Sequence, residues 1–388
     1  MPKNATVNAD GFRIYPWPGY DGRPGQDLEV MQRYHAEEPS DLLSVTSIRT
    51  LVGEPFQLVN WKIANVVNLA MGVRKKTVIG PRGGISEKYV PDGPHPGEFV
   101  ARMLETRGQQ KALDELRSWL RTTADEPRDI AAVRGSVVHK MIEMNLPMSL
   151  IDRELIEKRM LAQWKEEKRK ATPAFLDDDY NFVLNAMRNY WTMRERVPFV
   201  ILAQEPQVYN LRAGYGGSAD VLVWFLGYWG RNEDGDVIFT PLEGAGDALG
   251  RYMQEEANKG NVTAATIQKV GGQVAVGDWK TSKGVYTNHV VQTTAYLGSD
   301  FVAEDGIIDV RLTELLSTAM LGMVIHIRPD KYAVDLFEFR QDTISAFLGS
   351  VKFARFLAMH QQPYGLFVYT LDGAAEGVEG SDIADDSE

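Results

Sequence analysis

Helical periodicity runs from about residue 97 to 195 of this chain and stops near residue 197, where short apolar strands take over with a helix set among them. That order constrains the fold more than any other feature. Apolar residues recur at helical spacing over about 97–122, 128–146, 150–171 and 177–195, and Pro127 suits the opening of the second of these. The pattern then changes. Pro198–Asn210, Gly216–Leu226 and Gln273–Trp279 are rich in Val, Ile, Leu and aromatics and are bounded by Gly and Asn, which predicts strands. A helix is expected over 287–299, strands over 320–328 and 332–339 around a Pro329-Asp330-Lys331 turn, and a last helix over 341–360. Helices first and a mixed block second predict an α/β core, a mixed sheet flanked by helices behind an N-terminal helical lobe.

The remainder of the chain divides around that core. Residues 1–43, rich in Pro, Gly and Tyr, read as an irregular arm with a short hairpin at most. Residues 44–127 read as a helical and loop lobe: Ser44-Val45-Thr46-Ser47 offers hydroxyls before an apolar-periodic stretch, and Arg74 to Pro96, basic and then full of Gly and Pro, reads as a loop. The core runs over 128–365, with polar, helix-like Gly230–Gly272 set into it, opened by a short strand near Val237–Thr240. Residues 372–388 hold seven acids and no base and predict a disordered tail.

Composition removes several kinds of chemistry. The chain of 388 residues has no cysteine, which excludes disulfides, thiol catalysis, cysteine zinc sites and iron–sulfur clusters. No Gly-x-x-x-x-Gly-Lys-Ser/Thr loop, Gly-x-Ser-x-Gly elbow or His-Glu-x-x-His helix is present. There is no run of 18 apolar residues and no apolar signal core, so a cytoplasmic protein without a membrane partner is expected. A net charge of −11 argues against coating nucleic acid by bulk charge, but the acidic tail supplies more than half of that excess.

Four short patterns carry the chemistry that is left. The first is Val276-Gly277-Asp278-Trp279-Lys280-Thr281, an apolar strand ending in Asp-x-Lys; alternation puts Asp278 and Lys280 on one face and Trp279 on the other. A carboxylate there binds a divalent cation, and the lysine orients or deprotonates a water or offsets charge on a phosphate. The second is Gly216-Gly217-Ser218-Ala219-Asp220, where one acid opens an otherwise apolar strand. The third sets Gly135, His139 and Glu143 along one helical face, and the fourth sets Gln292 and Tyr296 one turn apart on the next helix. Taken singly, each pattern also fits an ordinary structural use: a surface ion pair, a turn, a satisfied histidine, a helix hydrogen bond.

In this order the four resemble the RecB-like nucleases of the PD-(D/E)xK superfamily, including bacteriophage and CRISPR-associated exonucleases. The resemblance covers roughly 44–300 and is densest from 135 onward. It implies a restriction-endonuclease-like core and a DNA exonuclease dependent on Mg²⁺ or Mn²⁺, acting in phage or bacterial recombination, repair or replication (in the host cytoplasm if phage-encoded). It implies catalytic roles for Asp220, Asp278, Lys280, Gln292 and Tyr296. The metal would be held by His139, Asp220, Asp278 and the main-chain carbonyl of Trp279, with Glu143 and Glu205 as accessory acids. The chain departs from the family twice: it lacks the cysteines of cluster-bearing members, and 57 residues separate Asp220 from Asp278 where a short hairpin is usual.

DNA, as single- or double-stranded ends, has to meet positive charge. The candidates are Arg74, Lys75, Lys76, Arg82 and Lys283, with solvated surface as the alternative for each cluster. A structure-specific endonuclease and a non-catalytic DNA-binding or assembly protein with a recombination partner remain open beside the exonuclease.

Overall fold

The computed structural model describes residues 129–166, 175–282, 284, 286–304 and 306–359, with short pieces at 6–7, 13–15, 42–45, 48, 73–79 and 85–91. The strands are β1 (Thr6–Val7), β2 (Arg13–Tyr15), β3 (Leu42–Ser44), β4 (Val73–Ile79), β5 (Ile85–Pro91), β6 (Phe199–Gln204), β7 (Gln207–Asn210), β8 (Tyr215–Ser218), β9 (Val221–Phe225), β10 (Gly227–Arg231), β11 (Val237–Pro241), β12 (Gln273–Lys280), β13 (Phe301–Glu304), β14 (Ile307–Ile308), β15 (Ala319–Ile327) and β16 (Tyr332–Glu338). The helices are α1, described over 129–143, then α2 (Arg153–Glu166), α3 (Asp177–Arg196), α4 (Ala248–Asn258), α5 (Ala264–Val270), α6 (Thr287–Leu297), α7 (Val310–Ser317) and α8 (Gln341–Met359).

Two mixed sheets organise the chain. One has the order β16-β15-β12-β9-β6, with β12 and β15 parallel and the other pairs antiparallel. The other has the order β1-β2-β3-β8-β7-β13-β14, with β3 and β8 its one parallel pair. The five-stranded sheet is covered on both faces, and its sequence says why. Along β9 every residue is buried, and successive residues alternate between two cores. Val221, Val223 and Phe225 pack with the helical side, while Leu222 and Trp224 pack with the opposite side. On β12, Ala275 and Trp279 face the helical side, and Val274 and Val276 face away from it. Strands buried on both faces read as continuous apolar runs, and each fully buried large side chain contributes about 1.5–3 kcal/mol.

Helices α1, α2 and α3 supply the helical side through Val137, Met141, Met160, Trp164, Met187 and Tyr190. The sequence sets the limits of α3 by charge: three acids, Asp177, Asp178 and Asp179, fill its first turn, and Arg194 and Arg196 stand in its last, so both ends complement the helix dipole. Trp164 is 7% exposed and meets Phe175 edge-on, a core residue. The opposite side is covered by α6, α7, α8 and the second sheet.

Several expectations are corrected here. The stretches 198–210 and 216–226 are not two strands but four. Each crosses from one sheet to the other at a corner, Glu205–Pro206 in the first and Ala219–Asp220 in the second. Glu205 sits at φ 48°, a conformation that strains a non-glycine residue, and Pro206 has no N–H for a ladder. Arg74 to Pro96 is not simply a loop: β4 and β5 form an antiparallel ribbon that brings Lys76 opposite Lys88. Residues 301–317, unassigned from sequence, form β13, β14 and α7. The helix expected at 97–122, Arg82, Lys283 and the acidic tail lie outside the described residues.

The inserted segment holds the β10–β11 hairpin, α4 and α5. It leaves β9 after Phe225 and returns at Gln273, which pair with each other, whereas Val221 pairs with Gly277. Both junctions therefore lie at the sheet end remote from Asp278, about 16 Å away at ~3.3 Å per residue. Its helix α4 covers the free edge strand β6. The Gln254 amide accepts the Ile201 N–H at 2.9 Å and donates to the Ile201 carbonyl at 3.1 Å, where β6 bulges. An edge residue satisfied in this way offers no template for another strand.

Candidate active site

Asp220 owes its place to the corner. Up to Gly277, β12 pairs with β9. At Asp220 the chain turns away into β8: the Asp220 N–H still donates to the Gly277 carbonyl at 3.0 Å, and the Asp220 carbonyl accepts from Glu205 at 3.0 Å. Beyond that point β12 has lost its partner on this edge. The Asp220 side chain takes over, with Oδ2 accepting the Trp279 N–H at 2.8 Å. Asp220 is thus in the link between two strands, not on a strand as the sequence suggested.

Asp278 points from β12 away from Trp279, and its side chain is 1% exposed. Its Oδ2 accepts from Lys280 Nζ at 2.9 Å, while its Oδ1 is buried with no hydrogen-bond partner. A buried carboxylate oxygen without a donor costs on the order of 1–3 kcal/mol or more. Burial, and then the charge of Asp278, push the Asp220 carboxyl up to about 8. The charge of Asp278 is thus felt at Asp220, while the Lys280 ammonium, 19% exposed, is held on Asp278.

The α1 face arrives from the helical side. A Cβ on Gly135 would come within 2.7 Å of Thr281 Oγ1, so glycine allows α1 to lie on the end of β12. One turn on, His139 Nδ1 is 3.6 Å from Asp220 Oδ2, and the imidazole also hydrogen-bonds the Trp279 main chain. Burial, and then the nearby Lys280 ammonium, hold the imidazole down at about 4. It is therefore neutral at ordinary pH, the form that ligates metals. A further turn on, burial and the charge of Glu205 raise Glu143, whose carbonyl accepts from Gln204 Nε2 at 2.6 Å. Glu143 also pushes Asp220 upward. The accessory acids thus flank the Asp220 corner.

Gln292 and Tyr296 lie on α6, both buried, with Gln292 Nε2 donating to the Tyr296 hydroxyl at 2.6 Å. The Tyr296 ring fills the space beside Gly217, where a Cβ would come within 2.9 Å of it and 3.0 Å of Val45. This contact seats α6 against the glycine strand that leads into Asp220. Arg74, Lys75 and Lys76 lie on the β4–β5 ribbon.

Among the described residues, no three His, Cys, Asp or Glu side chains are grouped closely enough to surround an ion. The donors suit a hard divalent cation in kind: two carboxylates, one with an orphaned buried oxygen, and a neutral imidazole. They do so as a pair with a neighbour rather than as a closed cage. That leaves most positions to water, as Mg²⁺ prefers.

The sequence reading missed two residues at this end of the sheet. His326 is beside Lys280 in the β12–β15 ladder, 5% exposed, and its ring nitrogen Nε2 meets the Ser282 carbonyl. Arg328 reaches the same carbonyl at 3.3 Å. The available signal was one ionisable residue inside the apolar run Met320–Ile327. No protein-family model and no curated protein matches this chain. No helix among the described residues is long and apolar enough to cross a membrane.

Proposed function

We propose that this chain is a metal-dependent deoxyribonuclease with a restriction-endonuclease-like core, most simply an exonuclease of DNA recombination, repair or replication. One observation carries the reading. Asp220 and Asp278, with 57 residues between them in sequence, converge at the end of one strand, where a buried oxygen of Asp278 is unpartnered and Lys280 occupies the other. Such a centre suits phosphodiester hydrolysis. Mg²⁺ or Mn²⁺, when held by Asp220 and Asp278 with His139 alongside, would polarise the phosphate and acidify a water.

The residues have distinct tasks in this reading. Asp278 holds the Lys280 ammonium by a charge-assisted hydrogen bond, so Lys280 presents a fixed positive group to a developing phosphorane or to the attacking water. Asp220 accepts the Trp279 N–H through Oδ2, which fixes its carboxyl beside the strand that carries Asp278. His139, neutral, serves as an acceptor or ligand without adding charge. For DNA the β4–β5 ribbon, which carries Arg74, Lys75 and Lys76 with Lys88 in facing register, is the natural first contact: a two-stranded ribbon fits the major groove.

Incubation of the full chain with closed circular and end-labelled linear DNA, with Mg²⁺ or Mn²⁺ and after chelation, tests the reading. Loss of linear DNA alone identifies an exonuclease, and cutting of circles an endonuclease. The absence of a three-donor cluster among the described residues favours a second reading, a non-catalytic DNA-binding or assembly protein. Binding without cleavage in either metal would establish that reading and sink the first.

A further inference from the structure

The exit of β12 is held from two sides. Towards α1, Thr281 packs in the space that Gly135 leaves open. Towards β15, the Ser282 carbonyl accepts from His326 Nε2 and, at 3.3 Å, from Arg328 Nη1. A carbonyl only accepts, so Nε2 carries the proton of this imidazole. Ser282 Oγ donates to the Gly284 carbonyl at 2.8 Å, which extends the grip into the turn before α6. The anchor is itself fixed. The Arg328 Nε donates to Asp330 Oδ1 at 3.0 Å, and the Arg328 carbonyl accepts from Asn189 Nδ2 on α3 at 2.7 Å. By ladder register His326 is next to Lys280, Val324 is next to Asp278, and Asp335 pairs with Val324, so Asp278, Lys280, His326 and Asp335 share one face of the sheet.

We infer that His326 and Arg328 are positioning residues of this site: by binding the Ser282 carbonyl they fix the end of β12 and so keep the Lys280 ammonium on Asp278. The physical reason is the length of the lysine side chain. Its stem has four rotatable bonds, and a misplacement on the order of 1 Å at a reacting centre costs roughly 100-fold in rate. Lys280 is the last residue of its strand, and the backbone after it has no further ladder on the β9 edge. A buried histidine and an arginine on one carbonyl supply the missing restraint. The catalytic consequence rests on the nuclease reading; the structural consequence does not.

The test uses the full chain as His326→Ala, His326→Gln and Arg328→Ala, with two measurements. The first is hydrogen exchange of the Thr281, Ser282, Gly284 and Tyr286 amides in metal-free protein, which needs no activity. His326→Ala is expected to speed exchange at least tenfold, with His326→Gln close to wild type because its amide N–H reaches the same carbonyl. The second is digestion of linear DNA with Mg²⁺ or Mn²⁺. His326→Ala and Arg328→Ala are expected to lower kcat 10- to 100-fold with KM within about twofold, and His326→Gln to recover most of the loss. Unchanged exchange in both alanine variants overturns the inference. So does fast exchange with wild-type kcat, or a glutamine variant as impaired as alanine. If His326→Ala fails to fold, the partly exposed Arg328 and the glutamine variant still decide the matter. If wild-type protein cuts nothing, the nuclease reading has failed, and exchange alone judges the anchor.

Discussion

Asp220 accepts the main-chain N–H of Trp279 at 2.8 Å, so the side chain at a sheet corner completes the backbone ladder of the strand that carries Asp278. This bond makes Asp220 part of the architecture as well as part of the site. The two uses separate on substitution. Asp220→Asn keeps an acceptor for Trp279 and removes a carboxyl that burial already disfavours as an anion, so it should melt no lower than wild type. Asp220→Ala leaves that N–H unsatisfied and should cost about 1–3 kcal/mol. Both should reduce DNA cleavage by at least roughly 100-fold, given the typical worth of a charged group at a reacting centre. Thermal melts beside end-labelled digestion check the pair; an active Asp220→Asn protein would remove Asp220 from the mechanism.

Gly277 precedes the Asp-x-Lys pair for a steric reason. A Cβ there would run into the Met323 main-chain carbonyl and side chain of the neighbouring parallel strand. A backbone carbonyl cannot rotate aside. Gly277→Ala should therefore destabilise by about 3 kcal/mol or more, beyond the usual 1–3 for overpacking, and should lose activity together with structure. Denaturant unfolding would measure it, and a change under about 1 kcal/mol would show that β12 and β15 separate easily.

Asp300 makes stability depend on pH away from the site. Burial raises its carboxyl to about 6, against smaller opposing effects from Arg212 and the Leu211 N–H. A carboxyl raised on folding favours the fold below its unfolded value, near 4, and loses that contribution as pH climbs through 6. Asp300→Asn keeps the acceptor but does not ionise. Discounting for solvent at this partly exposed position, it should be more stable than wild type by about 1–2 kcal/mol at pH 7 and equal to it below pH 4. Melting curves across pH 4–8 provide the comparison; parallel curves would refute the assignment.

The β4–β5 ribbon should announce itself in salt. Lys76→Glu and Lys88→Glu remove two cations at facing register positions. Each lost phosphate contact should flatten the dependence of log affinity on log salt by about 1. Binding to a labelled duplex at several salt concentrations reads this directly, with cleavage at saturating DNA unchanged. Wild-type slopes in both variants would leave the ribbon without a part in DNA binding.

Local pattern was enough to place much of this protein. The continuous apolar runs at β9, β12 and β15, the acids and arginines that bound α3, and Asp278 with Lys280 on one face of a strand all follow from neighbours in sequence, because side-chain direction and helix-end charge are decided within a few residues. The absence of cysteine likewise settled which chemistries were impossible. Only tertiary structure decided the rest. The corners at Glu205–Pro206 and Ala219–Asp220 split two apparent strands between sheets, because backbone pairing with distant strands outweighs a continuous apolar run. The same pairing joins Asp220 to Trp279 across 58 intervening residues and brings His326 to Lys280; it also sends the insertion to the opposite end of the sheet. No spacing along the chain encodes such meetings. They arise where hydrogen-bond ladders begin and end, and those limits are fixed only when the whole sheet is formed.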